Sequence, residues 1–177
     1  SERMFKAAVD LYNRLEQFTK DYIYERARTE RNLADLYLVT KRYTESEKWY
    51  QYALKTCRTL VATNASAYED QLAATLQRFA GLYWETQRYD ESENLYKQAL
   101  EIYKKRTLAN PLEFESAVAA SQIGLAGVYQ QTEQYDVCER LLTSSLEIYQ
   151  RLAAVTPSLY LPLLATTQTR LGNLYRT

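Results

Sequence analysis

A step of 46 residues recurs along the whole chain. The segment RYTESEKWYQYAL, from Arg42 to Leu54, returns as RYDESENLYKQAL from Arg88 to Leu100. The same step links four tyrosines: Tyr37, Tyr83, Tyr129 and Tyr175. Because several registers agree at once, the chain is predicted to stack copies of one structural unit, each of which buries its apolar face against its neighbours.

Each unit is predicted to contain two helices. In the first helix, Leu33, Ala34 and Tyr37 lie at i, i+1 and i+4, which places them on one face. In the second helix, the recurring positions 43, 46, 50, 53, 54 and 57 follow the helical period of 3.6. With only 4 glycines and 3 prolines in 177 residues, the chain has few helix breaks, so the predicted class is all-α. The predicted helices are about 2–18, 21–41, 44–62, 68–86, 90–107, 114–132, 136–153 and 160–176.

The repeat predicts one array over residues 1–177 that begins and ends on a half-unit. With the shift relaxed by one residue, Glu2–Tyr12 matches Glu93–Tyr103, so the chain is expected to start on a second helix. The predicted divisions are a half-unit at 1–20, units at about 21–65, 66–111 and 112–157, and a half-unit at 158–177. Such ends are typical of a piece of a longer array, or of an array closed by a lone helix.

Composition argues against several functional classes. Lys plus Arg equals Asp plus Glu at 22 each, so the electrostatic footprint of a general nucleic-acid binder is missing. No apolar run approaches the roughly 18 residues of a membrane span. The chain has no histidine and no phosphate or dinucleotide motif, so we expect no enzyme, cofactor or metal. Cys57 and Cys138 have no framework spacing and are expected to be buried thiols in a cytoplasmic protein.

The recurring pattern resembles the tetratricopeptide repeat over nearly the whole chain. Its elements are Leu-Ala/Gly-x-x-Tyr, a Tyr six residues on, a small residue, another Tyr, and Ala-Leu. The unit of 46 residues exceeds the usual length of about 34, as in the long-helix variety of kinesin light chain and bacterial arrays. The resemblance implies a right-handed solenoid of antiparallel helix pairs, about four units long. It also implies a non-catalytic scaffold that binds a protein or peptide in a concave groove of first helices.

The groove slots of that family give nine candidate binding residues here: Arg28, Arg31, Asp35, Gln77, Trp84, Ile123, Gln130, Thr169 and Asn173. Arg28 and Arg31 are expected to recognise an acidic part of a ligand. Trp84 differs from its counterparts Leu38 and Gln130, so the repeat itself does not require it. It is either an interface anchor or a side chain packed beneath the next helix.

Three further patterns carry predictions. The tyrosines that recur in the 46-residue register are expected to pack one repeat against the next. Gly81 and Gly127 either permit tight helix packing or leave a shallow channel. The terminal half-units favour an alternative function, an assembly module that stacks end to end with itself or within a longer multidomain protein.

Overall fold

The computed structural model describes residues 1–15 and 22–176, and within them the secondary structure consists of eight α-helices. They are α1 (Glu2–Leu15), α2 (Ile23–Val39), α3 (Tyr43–Thr63), α4 (Ala65–Glu85), α5 (Tyr89–Thr107), α6 (Pro111–Gln131), α7 (Tyr135–Val155) and α8 (Pro157–Leu174). The all-α prediction is confirmed. The predicted end of the first helix at residue 18 and start of the second at residue 21 fall outside the described residues.

Three first helices begin three residues earlier than predicted, because their caps lie further upstream. The Asn64 side chain accepts a hydrogen bond from the Ala67 amide at 3.2 Å and another from Ser66 Oγ at 2.9 Å. Asn64 therefore caps α4. Pro111 and Pro157 each occupy the first turn of their helices, where the missing amide hydrogen costs little.

The turns from a first to a second helix share one backbone feature, a residue with positive φ. Lys41, Gln87 and Glu133 follow the 46-residue register and have φ angles of 58°, 60° and 59°. In two of these turns, the Arg42 amide donates to the Tyr37 carbonyl, and the Gln134 amide to the Tyr129 carbonyl, at 2.8 Å each. This is the left-handed ending that usually recruits glycine, formed here by residues with long side chains.

The chain divides into two compact units, Ser1–Thr86 with α1 to α4 and Gln87–Thr177 with α5 to α8. In each unit a small residue brings a second helix against a first helix. Ser46 Oγ donates to the Ala34 carbonyl at 2.9 Å, and Ser145 Oγ donates to the Ala119 carbonyl at 3.2 Å. Both serines are fully buried. These small side chains therefore let the two helices approach closely.

The recurring tyrosines hold consecutive helix pairs together through one repeated bond. Each donates its hydroxyl hydrogen to a glutamate on the preceding second helix. The four bonds are Tyr37 to Glu2 at 2.8 Å, Tyr83 to Glu47 at 3.0 Å, Tyr129 to Glu93 at 2.9 Å and Tyr175 to Glu139 at 2.6 Å. Glu2 thus accepts in α1 the same hydrogen bond that Glu47, Glu93 and Glu139 accept in α3, α5 and α7. The packing role predicted for this tyrosine ladder is confirmed by these four bonds.

Candidate functional site

The first helices α2 and α4 of unit 1 lie side by side and are joined by polar side chains. Arg31 Nη1 donates to Gln71 Oε1 at 3.2 Å. Arg78 of α4 forms an ion pair with Asp35 of α2. These contacts connect two predicted site residues to Gln71 and Arg78, which the sequence analysis did not single out.

Asp35 is committed to internal contacts. One of its carboxylate oxygens pairs with Arg78, and the other accepts the Tyr50 hydroxyl at 2.5 Å. Burial of the ring and the Asp35 charge raise the pKa of Tyr50 well above its usual range, so Tyr50 remains a donor. Asp35 therefore orients Arg78 on the surface. Because both of its carboxylate oxygens already accept hydrogen bonds, it has little capacity left to bind a ligand.

Three of the predicted residues present functional groups to solvent in unit 1. Arg28 is half-exposed and pairs with Glu25 on its own helix at 2.7 Å. Trp84, near the end of α4, is 37% exposed, more than is usual for so large an apolar side chain. Gln77 is half-buried. A cationic patch and an exposed indole are thus carried by two adjacent helices.

The remaining predicted residues lie on the first helices of unit 2. Ile123 and Gln130 of α6 are half-buried, while Thr169 and Asn173 of α8 are exposed. The Thr169 hydroxyl donates to the Ala165 carbonyl of its own helix at 2.9 Å. Chemically these four are uncharged, in contrast to the arginines of α2.

A third glycine, Gly124, lies in tight contact with an aromatic ring, and the sequence pattern did not single it out. A Cβ built on Gly124 of α6 would overlap the Tyr96 ring of α5. Tyr96 is buried, which raises its pKa to about 12. Gly124 thus lets α6 lie against this ring. For Gly81 and Gly127, tight helix packing and a shallow channel both remain predictions.

A buried charged cluster in unit 1 was also missed. Glu30 of α2 is 6% exposed; its Oε2 accepts the Thr56 hydroxyl at 2.8 Å, and its Oε1 lies 3.7 Å from Arg26 Nε. The sequence could have indicated this cluster, because the residues 46 positions after Arg26, Glu30 and Thr56 are apolar. They are Leu72, Leu76 and Ile102.

Both cysteines are free, buried thiols, as predicted. Burial raises the pKa of Cys57 and of Cys138, which keeps them protonated and unreactive. Within residues 1–15 and 22–176, no group of three or more Asp, Glu or Cys is arranged to hold a metal ion. In the same part of the chain, no helix combines the length and hydropathy that a membrane span requires.

Residues 25–105 match the family model described as Tetratricopeptide repeat. Residues 25–105 therefore consist of tetratricopeptide-type repeats. The resemblance drawn from its tyrosines, small residues and Ala-Leu pairs is thereby confirmed. No curated protein matches the chain significantly.

Two solved structures share the fold. BtubC (BKLC) from P. vanneervenii is 26% identical, with a TM-score of 0.76 over 99% of this chain and 64% of that one. The apo form of RapI is 20% identical, with a TM-score of 0.65 over 97% of this chain and 45% of that one. This chain thus spans less than two thirds of either protein, and the RapI likeness concerns the fold alone. Together they support the predicted solenoid class of helical repeat.

Proposed function

We propose that this tetratricopeptide-type chain is a non-catalytic scaffold that binds a protein or peptide on its first helices. The observation that carries the proposal is the surface shared by α2 and α4. There Arg31 and Arg78 are each held by a partner on the neighbouring helix. Because these side chains are already oriented, a ligand need not order them, which reduces the entropic cost of binding.

The ligand proposed is an extended or helical segment with an acidic stretch and an apolar side chain. Arg28, Arg31 and Arg78 supply cations that suit carboxylates. Trp84 supplies an exposed aromatic surface of the kind that anchors interfaces. In unit 2, the uncharged residues Ile123, Gln130, Thr169 and Asn173 are further candidate contacts on α6 and α8. We place this interaction in the cytoplasm, where two free thiols are expected.

Alanine substitutions on this surface test the proposal. An array of synthetic peptides, acidic or with the acidic residues replaced by neutral ones, is probed with wild type, Arg31→Ala and Trp84→Ala. We expect capture of acidic peptides to fall about tenfold in each variant, with unchanged melting temperature. The matched controls are Arg140→Ala and Tyr135→Ala, both exposed on α7. Equal capture of acidic and neutral peptides, or equal loss in the controls, would refute the proposal.

End-to-end assembly is a second candidate, and the exposed face of α8 favours it. In α6, Glu115 and Ala119 face the following helix, since Arg151 and Ser145 of α7 bond to them. Their counterparts in α8 are Leu161 and Ala165, and both are exposed. We propose that this face binds α1 of a second copy, because α1 is itself a second helix. Its Leu11 is 55% exposed, whereas the counterpart Ile148 of α7 is 8% exposed.

A mixing experiment tests this head-to-tail arrangement. Leu161→Glu blocks the α8 face and Leu11→Glu blocks the α1 face, so each variant alone should be monomeric by light scattering. Mixed together, they retain one intact face each and should form a 1:1 dimer, while wild type grows with concentration. A wild type that stays monomeric at high concentration excludes the assembly.

A further inference from the structure

Unit 1 contains a cavity of about 390 Å³ whose lining comes from α1, α2 and α3. We call it the polar cavity; it is separate from the surface that α2 shares with α4. Its volume falls within the range of small-molecule sites, roughly 300–1,000 Å³. The half-buried Arg26 and the buried Glu30 of α2 form its floor, and exposed residues of α1 and α3 surround its mouth.

The floor is fixed by hydrogen bonds that reach all three helices. Arg26 donates to Thr56 Oγ1 of α3 at 3.3 Å and to Asn13 Oδ1 of α1 at 3.2 Å. Thr56 in turn donates to Glu30. The repeat fold does not require this ionic floor, because the corresponding positions of the following repeats hold uncharged residues: Leu72, Leu76 and Ile102, then Val118, Gln122 and Ile148. Buried ion pairs are often no more stable than the apolar residues that would replace them, so this one calls for another explanation than packing.

One wall of the polar cavity is aromatic. The rings of Trp49 and Tyr52 lie 5.4 Å apart at an interplanar angle of 77°, an edge-to-face pair. The register places Leu95 and Gln98 at the corresponding positions of α5. Neither aromatic residue is therefore part of the repeat pattern, and the pair is specific to this cavity.

The mouth carries one charge of each sign. Asp10 is exposed on α1, and Lys55 is exposed on α3. With Arg26 and Glu30 on the floor, the lining holds two anions and two cations. A ligand of single charge would meet as many like charges as opposite ones, whereas a zwitterion can pair with both signs.

We propose that the polar cavity binds a free α-amino acid with an apolar side chain. Its ammonium group pairs with Asp10, its carboxylate pairs with Lys55, and its side chain packs against Trp49 and Tyr52. The ionic floor holds α1, α2 and α3 at the spacing that this ligand needs. The inference does not rest on partner binding by α2 and α4.

Calorimetry with defined probes tests the proposal. L-leucine and L-phenylalanine are titrated into the chain and compared with their N-acetyl amides, which lack both charges. We expect saturable 1:1 binding of the free amino acids and binding at least about tenfold weaker for the amides. Absence of saturable binding, or equal binding of the amides, overturns the proposal.

Variants of the lining locate the binding and control for stability. Asp10→Asn and Lys55→Met should each weaken L-leucine binding about tenfold. The controls Asp136→Asn and Lys104→Met change exposed charges on α7 and α5 and should have no effect. The triple variant R26L/E30L/T56I takes its side chains from the register; it should keep its helical circular dichroism and lose L-leucine binding. Unaltered binding by the triple variant would overturn the assignment.

Tryptophan fluorescence gives an independent readout. The chain has two tryptophans, so Trp84→Phe leaves Trp49 as the only indole. L-leucine should then shift the emission of Trp49 with the same saturation curve that calorimetry gives. Saturable heat without any change in Trp49 emission would place the ligand elsewhere and refute the site.

Discussion

The helix pair α2–α3 of unit 1 and the pair α6–α7 of unit 2 have the same backbone design. Their turns contain Lys41 and Glu133 with φ angles of 58° and 59°. In each pair a buried serine of the second helix donates to an alanine carbonyl of the first. The two serines occupy different positions of the register, since Ser46 corresponds to Cys138 and Ser145 to Ala53. What the two pairs share is therefore the turn and the use of small buried residues between the helices.

The cores of the two pairs nevertheless differ. Where unit 1 has Arg26, Glu30 and Thr56, unit 2 has Val118, Gln122 and Ile148. Unit 2 keeps a polar but uncharged group, since the Gln122 amide donates to Ser144 at 3.0 Å. A repeat frame thus accepts either an ionic or a largely apolar interior, and the ionic one requires a local cause.

Removing one charge from unit 1 should produce the largest effect. Glu30→Leu leaves the Arg26 guanidinium without its carboxylate in a largely buried place, and we expect a loss of about 3 kcal/mol. The triple variant R26L/E30L/T56I removes both charges and should be as stable as wild type or more so. Urea unfolding of both variants measures this difference.

The matched change in unit 2 should be milder. Gln122→Leu removes hydrogen bonds to Ser144 and Ser145 but strands no charge. We expect a loss of about 1 kcal/mol. If Glu30→Leu costs no more than Gln122→Leu, the ionic floor is not the feature that separates the two pairs.

A second contrast concerns the slot that holds Arg78 in unit 1 and Gly124 in unit 2. Gly124→Ala would drive a Cβ into the buried Tyr96 ring, and we expect a loss of about 2 kcal/mol despite the helix-favouring alanine. Gly172→Ala is the control. A Cβ there meets nothing within 4 Å, so alanine should stabilise by up to about 1 kcal/mol. The melting temperatures of both variants test whether Gly124 is in tight contact with the Tyr96 ring. A Gly124→Ala variant as stable as Gly172→Ala would show that it is not.

The fold was predictable because the register repeats the same slots. Tyr37, Ala53 and their counterparts established the helix pairs, and helix ends in the described residues fall within three positions of the prediction. The errors in the predicted helix bounds occur where a capping residue determines the first residue of the helix. The Asn64 side chain caps α4, so this helix begins at Ala65, three residues before its predicted start.

The candidate sites were less predictable, for two different reasons. The partners Gln71 and Arg78 depend on how long side chains extend between α2 and α4, which spacing along one helix does not determine. Arg26 and Glu30 were visible as departures from the register, as Trp84 was. They are charged residues at helix positions where the next repeat has apolar ones. Such a departure from the repeat can indicate a functional site even when the residue lies in the core.

The stability lost when a ladder tyrosine is replaced by phenylalanine should depend on how deeply that tyrosine is buried. Tyr129→Phe removes a bond from a buried hydroxyl to the Glu93 carboxylate, and we expect a loss of about 1.5 kcal/mol. Tyr83→Phe should behave alike in unit 1, since its bond to Glu47 is equivalent. Tyr175 is 65% exposed, so Tyr175→Phe should cost less than about 0.5 kcal/mol. Equal losses at all three positions would show that the hydroxyl, not its burial, sets the effect.

The smallest expected effect concerns acid titration at the first member of the ladder. Lys6, Tyr37 and Arg42 lower the pKa of Glu2 from its usual 4.5 to about 2. In unit 2, Lys97 and Tyr129 lower the pKa of Glu93 in the same direction. A lowered pKa means that the native state favours the carboxylate. The resulting stabilisation is complete above pH 4.5 and disappears as the pH falls towards 2.

Nuclear magnetic resonance of the side-chain carboxyl carbons can follow both glutamates. Glu2 should titrate near pH 2, and Tyr37→Phe should bring its midpoint back towards 4.5. Tyr129→Phe should move Glu93 and leave Glu2 unchanged, because the two bonds lie in different units. Since Glu2 is on the surface, salt should also raise its midpoint by screening Lys6 and Arg42. A Glu2 midpoint of 4.5 in the wild type would show that the first tyrosine bond is not maintained in solution.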